Sequence, residues 1–199
     1  MKLILASNSP RRREILSGMG LDFTVCPSGA DEICDPSLEP FELTEQNALI
    51  KGRDVYEKLK ESVTEDGFII SADTVVDFYG EALGKPKDRE DAVRMLSSLS
   101  GGAHSVHTGY AIIRLSDGAE ISGVETTYVT FAELSEEDVN YIIEHDNPYD
   151  KAGSYAIQGA AMPFICGITG CYMNVVGLPV QAIRAAMLEG FGVKLETLN

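Results

Sequence analysis

The run Leu3-Ile4-Leu5-Ala6 passes directly into Ser7-Asn8-Ser9-Pro10 and then into three consecutive arginines, Arg11 to Arg13. Four apolar residues in a row read as a buried strand. Ser9 as N-cap and Pro10 at the first helical position then open a helix over Arg12–Met19. The arginines sit where the helix dipole disfavours cations, by roughly 0.3–1 kcal/mol each. A bound polyanion would reverse that penalty, with backbone N–H groups, serine hydroxyls and arginine forks converging on phosphate oxygens. A solvated basic turn is the alternative. No G-x-x-x-x-G-K-[ST] sequence occurs, so the turn is not a P-loop.

Further along, Leu21–Pro27 reads as a second strand and Ser28–Glu42 as an acidic, proline-bearing loop. Thr44–Val63 carries apolar Ala48, Val55 and Leu59 at helical spacing. Phe68–Ala72 reads as a buried strand, and Val75–Tyr79 with Glu81–Leu83 as a hairpin about Gly80. Asp88–Leu99 reads as a helix. Ala103–Leu115 and Glu120–Glu133 form an antiparallel pair about Ser116-Asp117-Gly118. Ser135 and Asp138 mark a capped helix to His145. Asn147–Gly159 is a polar loop, Phe164–Ile168 and Tyr172–Val176 are short strands, and Leu178–Glu189 is a closing helix. Interleaved helices and strands with frequent hairpins predict an α/β fold on a mixed sheet.

At 199 residues the chain suffices for one large domain or two lobes with a shared core. Its net charge of -15 argues against a nucleic-acid polymer as partner, because the long-range field repels one. A small nucleotide escorted by a divalent cation is still compatible. No apolar run approaches the roughly 18–20 residues a membrane helix needs. Cys26, Cys34, Cys166 and Cys171 form no C-x-x-C pair, which fits free thiols and a cytoplasmic location.

Asp73 follows the apolar run Phe68–Ala72 and is read as the end of a central strand, where α/β folds place their ligand crevice. A carboxylate there holds a hard cation or orients a water. Capping a turn together with Thr74 is the alternative. Asp31 or Glu32 is a candidate to join Asp73 at a metal, against a merely solvated acidic loop. Lys85, in Leu83-Gly84-Lys85-Pro86, suits a phosphate as a point charge, or simply a surface turn. Lys51 interrupts an apolar stretch; snorkelling to solvent is the default and facing a crevice the alternative. His104 and His107, three apart on a strand, point to opposite faces and do not share a zinc. His104 is read as structural, bonding the preceding loop. Gln158 offers the paired donor and acceptor that base recognition needs.

Taken in order, several segments resemble the Maf family of nucleotide pyrophosphatases. They are Leu5-Ala6-Ser7-Asn8-Ser9-Pro10-Arg11-Arg12, Ala72-Asp73-Thr74, Leu83-Gly84-Lys85-Pro86, and Leu99-Ser100-Gly101 with His104. Asp150-Lys151-Ala152-Gly153 with Tyr155, Ile157-Gln158-Gly159, and Gly177-Leu178-Pro179 complete the set. The resemblance implies one elongated α/β domain over residues 1–199, two-lobed around a deep cleft, similar in fold to inosine-triphosphate pyrophosphatases. It implies hydrolysis of a nucleoside triphosphate to the monophosphate and pyrophosphate, assisted by Mg²⁺ or Mn²⁺. Asp73 matches the catalytic acidic residue. Ser7, Arg12, Lys51 and Lys85 match positions tied to triphosphate binding and catalysis, and Glu32 an acidic position that would join Asp73 at the metal. Arg11, Thr74 and Gln158 match the positions that separate branches. They resemble the branch acting on dTTP and UTP rather than the 7-methyl-GTP branch. Because the normal pyrimidine triphosphates are essential to a cell, modified pyrimidine triphosphates are further expected targets. A homodimer is also implied. The family's association with septum formation leaves a non-enzymatic nucleotide-binding regulator as the rival.

Overall fold

The computed structural model describes residues 1–62 and 65–198. Its centre is a mixed sheet of β1 (Lys2–Leu5), β2 (Thr24–Val25), β3 (Gly67–Phe78), β4 (Glu81–Leu83), β5 (Ala103–Arg114), β6 (Glu120–Phe131) and β7 (Ile165–Thr169). The spatial order is β2-β1-β3-β5-β6-β7, with β4 pairing β3. Helices α1 (Pro10–Gly18), α2 (Pro40–Leu59), α3 (Arg89–Leu99), α4 (Glu136–His145), α5 (Tyr172–Val176) and α6 (Val180–Phe191) surround it. The mixed α/β expectation holds. Among the described residues no helix is long and apolar enough to cross a membrane.

The two strands expected on either side of Asp73-Thr74 are one strand, so Asp73 lies mid-strand rather than at a strand end. β5 pairs with β3 in unbroken antiparallel register from Phe68↔Arg114 to Asp77↔Ser105, which leaves no room for a turn. The opposite edge of β3 is interrupted instead. β1 runs parallel to it only as far as Leu5↔Ile70. β4 begins only at Val76↔Leu83. Between them, among the described residues, Ser71 to Val75 have no strand neighbour on that edge.

Strand pleating sorts β3 side chains by parity. Phe68, Ile70, Ala72 and Val76 join the larger apolar core with Leu16, Leu96, Ile112 and Ile183. Ile69 joins a smaller core under α2 with Ile4, Val55 and Ile113. α2 lies close because Gly109 has no side chain: a Cβ there would sit 2.3 Å from the Thr44 carbonyl.

Three larger departures from the sequence reading stand out. α2 starts at Pro40, inside the expected loop, because Glu39 and Glu42 form a reciprocal capping box with Pro40 in the first turn. An acidic N-cap was the missed signal. The expected end of that helix at Val63 lies outside the described residues. Tyr172–Val176 is helical rather than a strand. Thr127 Oγ1 grips Cys171 N, buried Asn174 donates to Val106 O, and Gly177 ends the helix at φ 119. Here tertiary anchoring overrides an apolar pattern that suited a strand. The second strand shrinks from Leu21–Pro27 to Thr24–Val25.

The segment Asn147–Gly159 is also less polar in setting than in composition. Gly153, Ser154, Tyr155 and Ile157 are buried. Gly153 adopts φ +64 against Val76, where a Cβ would meet Cγ2 at 2.8 Å. Tyr155 packs edge-on against Phe131 and His104, and its hydroxyl lies 2.7 Å from His104 Nε2. His104 is structural as expected, but its partner is this distant tyrosine rather than the preceding loop. Burial pushes its imidazole down to about 4.

Two stability outcomes follow. Gly109→Ala is expected to lose about 1–3 kcal/mol through overpacking against α2. Gly18→Ala, at a helical glycine with open space around it, is expected to gain about 0.4–1 kcal/mol. Urea denaturation of both variants checks the pair. For His104, the unfolded chain takes up a proton below about pH 6.5 that the native state refuses until about pH 4. Its stabilising contribution is therefore complete above pH 6.5 and is lost as pH falls, by about 3 kcal/mol in full. Denaturation midpoints from pH 7 to 4 are expected to fall less steeply in His104→Gln than in the native protein; equal slopes would contradict this.

Candidate active site

The interrupted edge of β3 opens into a cleft of about 1280 Å³. Its lining includes Ser7 to Arg12, Glu32, Asn47, Lys51, Asp73 to Val76, Lys85, Asp150 and Gln158. Every residue singled out in the sequence for phosphate, metal or base contact, apart from Asp31 and Arg13, therefore borders one cavity. Consecutive β3 residues serve different walls. Asp73 points toward α2, and Thr74 toward α1 and α5. Both reach the cleft because no strand covers the edge between them.

The α2 wall is built by a stripe of residues one turn apart, Asn47, Lys51 and Asp54. Lys51 Nζ lies 2.7 Å from Asp73 Oδ1 and 2.6 Å from Glu32 Oε1. Its side chain is 14% exposed, so it does not snorkel to solvent. Asn47 takes Ile33 N on Oδ1 at 2.8 Å, and its Nδ2 donates to Ile33 O and to Asp73 Oδ2. Asp54 Oδ2 accepts from Ser28 Oγ and Gly29 N. These bonds pin the acidic loop along α2 and bring Glu32 to Lys51, while Asp31 stays exposed. Partial burial pushes the Glu32 carboxyl up. The hydrogen bond and charge of Lys51, with Lys85 and Arg12 beyond, outweigh this and hold it below the usual carboxylate range.

The α1 wall answers the question posed by the arginines. Their forks are taken up by the protein's own oxygens. Arg12 is buried and donates from Nε to Gly177 O at 2.7 Å, and from its terminal nitrogens to Ser7 Oγ and Thr74 Oγ1 at 3.0 Å each. Two of its five N–H donors are left over. Burial, the largest influence, pulls its pKa below the ordinary arginine value. Asp73 and Glu32 act in the opposite sense, and Arg11 adds to the lowering. Arg11 bonds Asp150, and Arg13 bonds Asn8 O. Ser9 is the N-cap without a side-chain capping bond, while Ser7 Oγ accepts from Ser9 N.

Thr74 Oγ1 also lies 3.0 Å from Thr108 Oγ1, and Thr108 donates to Asn174 O. Lys85 is exposed on the loop after β4, and Gln158 is exposed on the segment after Tyr155. Sequence reasoning missed Asn47, Thr108 and Asn174. Only Asn47 had a visible signal, its position one helical turn before Lys51. The other two depend on pairings more than thirty residues apart in the chain.

Among the described residues no group of three or more His, Cys, Asp or Glu side chains could hold a metal by itself. Glu32 and Asp73 share one ammonium, so their group keeps a net negative charge. Two carboxylates completed by substrate phosphates are the donor set Mg²⁺ commonly uses, in place of an all-protein cage. The residues present thus fit a divalent cation that arrives with a phosphate ligand.

A family model described as Maf-like protein matches residues 2–190. A dTTP/UTP pyrophosphatase of Thermococcus gammatolerans is 47% identical over 191 residues, 96% of this chain and 98% of that protein. A dTTP/UTP pyrophosphatase of Alkaliphilus oremlandii is 43% identical over 194 residues, 98% of each chain. Among solved structures, a nucleoside-triphosphatase / dITP/XTP pyrophosphatase from Mycobacterium abscessus aligns over 96% of this chain and 94% of its own. Its TM-score is 0.45 and its identity 15%. With the match running through every wall of the cleft, the chain belongs to the Maf family.

Proposed function

We propose that the protein hydrolyses dTTP and UTP to the monophosphate and pyrophosphate at the β3 cleft. The observation that carries this is the Glu32–Lys51–Asp73 group at an uncovered strand edge, facing the α1 N-terminus across a cavity with room for a nucleotide. Relatives at 41–47% identity named dTTP/UTP pyrophosphatase support the base assignment.

A triphosphate brings about four negative charges at neutral pH, by the second-ionisation logic of phosphate esters. Lys85, the free donors of Arg12 and the first-turn amides of α1 would bind it, and Ser7 would fix the Arg12 fork. Phosphoryl transfer needs chiefly positioning and charge stabilisation, which these groups provide. Asp73, fixed by Lys51 and Asn47, would accept a hydrogen bond from the attacking water, orient it at the α-phosphorus and take its proton. A divalent cation held by Glu32 and Asp73 would supply further charge neutralisation on the phosphates. Arg11, Thr74 and Gln158 would set base preference. Uracil and thymine share one Watson–Crick edge, and a methyl is worth only about 1–3 kcal/mol in a pocket, so acting on both is expected. A homodimer belongs to the same proposal; exposed Met162, Ile168 and Tyr172 beside edge strand β7 offer apolar area for it.

A nucleotide panel with Mg²⁺, Mn²⁺ or EDTA tests the reading. Metal-dependent pyrophosphate release from dTTP and UTP, with little from GTP, is expected. Release mainly from 7-methyl-GTP would overturn the base assignment. Asp73→Asn is expected to lower kcat by about 10²–10⁴ while dTTP binding persists, the loss typical of a general base. Nucleotide binding without turnover in the native protein would point to a regulator instead.

A further inference from the structure

Lys151 is a buried cation that the proposed chemistry does not use. It is 8% exposed, and its Nζ donates to Asn147 O and to Asp150 Oδ1, the latter at 2.7 Å. Asp150 in turn receives the Arg11 fork. Arg11 donates to Asp150 Oδ2 at 3.2 Å and to Asp150 O at 3.0 Å. A buried ammonium, a carboxylate and a guanidinium thus form a chain. It ties the start of α1 to a turn 139 residues away. Burial pushes the Asp150 carboxyl up, but Lys151 and Arg11 more than offset this and hold it below the usual carboxylate range.

We propose that Asp150, locked by Lys151, is a positioning residue that presents Arg11 to the carbonyl oxygens of the nucleobase. This rests on the pyrimidine triphosphate reading. Arg12 is bonded to Thr74 beside Asp73, whereas Arg11 is bonded to Asp150 on the segment that carries Gln158, so Arg11 stands on the wall away from the Asp73 carboxylate. Pairing with Asp150 also leaves Arg11 further N–H donors in a fixed plane. Uracil and thymine offer carbonyls at O2 and O4 as acceptors. Gln158, on the same segment as Asp150 and lining the same cleft, adds a donor and an acceptor suited to N3–H and its neighbouring carbonyl. The arrangement divides labour between adjacent arginines. Arg12, turned inward, serves the phosphate end, and Arg11, turned toward Asp150, serves the base.

A double-mutant cycle between Asp150→Asn and Arg11→Ala tests this, read as KM and kcat for dTTP and GTP and as dTTP binding in EDTA. Asp150→Asn is expected to raise KM for dTTP about tenfold, with a smaller change in kcat, and to narrow the preference over GTP. Asp150→Glu is expected to recover part of the loss. In the Arg11→Ala background, Asp150→Asn is expected to change binding by less than about twofold, since coupled residues are non-additive. Additive effects, or a fall in kcat with KM unchanged, would overturn the proposal. Should Asp150→Asn not fold, the same cycle with Asp150→Glu and Arg11→Lys measures the coupling. The wild-type panel reports on the pyrimidine reading. The cycle, run with whichever triphosphate the wild type binds best, reports on the positioning role separately.

Discussion

The site depends on a missing neighbour. β3 loses β1 after Ile70 and gains β4 only at Val76, while β5 stays paired with it throughout. An uncovered strand edge is normally a liability, because free backbone groups invite pairing. Here it forms the floor of a cleft. The alternation of strand side chains then sends Asp73 to one wall and Thr74 to the other, so one dipeptide anchors two sets of partners.

The two walls are held by different physics. On the α2 side, short ion pairs and the Asn47 clamp fix the acidic loop, and Gly109 allows the helix to sit directly on β5. On the α1 side, a buried arginine ties the β1–α1 turn to two distant segments. Arg12 reaches Ser7, Thr74 and the residue that caps α5, Gly177. A buried guanidinium is costly unless its donors are satisfied, and satisfying them with fixed protein oxygens makes the remaining donors rigid. Rigid donors aimed at developing charge are what electrostatic stabilisation of a phosphoryl-transfer transition state requires.

Much of this was legible in the sequence, and the failures are instructive. The β1–α1 turn, the long hairpin of β5 and β6, and the cap of α4 follow from local pattern and chemistry. Asp73, Lys85 and the arginines stood out because charges interrupt or follow apolar runs. Lys51 was ambiguous, since helical position alone cannot say whether an ammonium meets solvent or two carboxylates. The start of α2 was hidden by an acidic N-cap. The α5 turn was misread because its helical form is imposed by Thr127 and Asn174, contacts that local propensity does not encode. The role of the arginine run was only half legible: its sign conflict with the helix dipole was visible, but its resolution by Gly177, Asp150 and Asn8 needed the fold.

The most direct test of the account concerns the β3 edge itself. Strand alternation, with Ala6 N already bonded to Ile70 O, aims the Thr74 backbone N–H into the gap. Amide exchange at Thr74, followed by NMR with dTTP in EDTA, reports on it without turnover. Marked protection of Thr74 on nucleotide binding, with little change at β5 amides, is the predicted result. Binding of dTTP that leaves Thr74 exchange unaltered would place the nucleotide elsewhere and contradict the account.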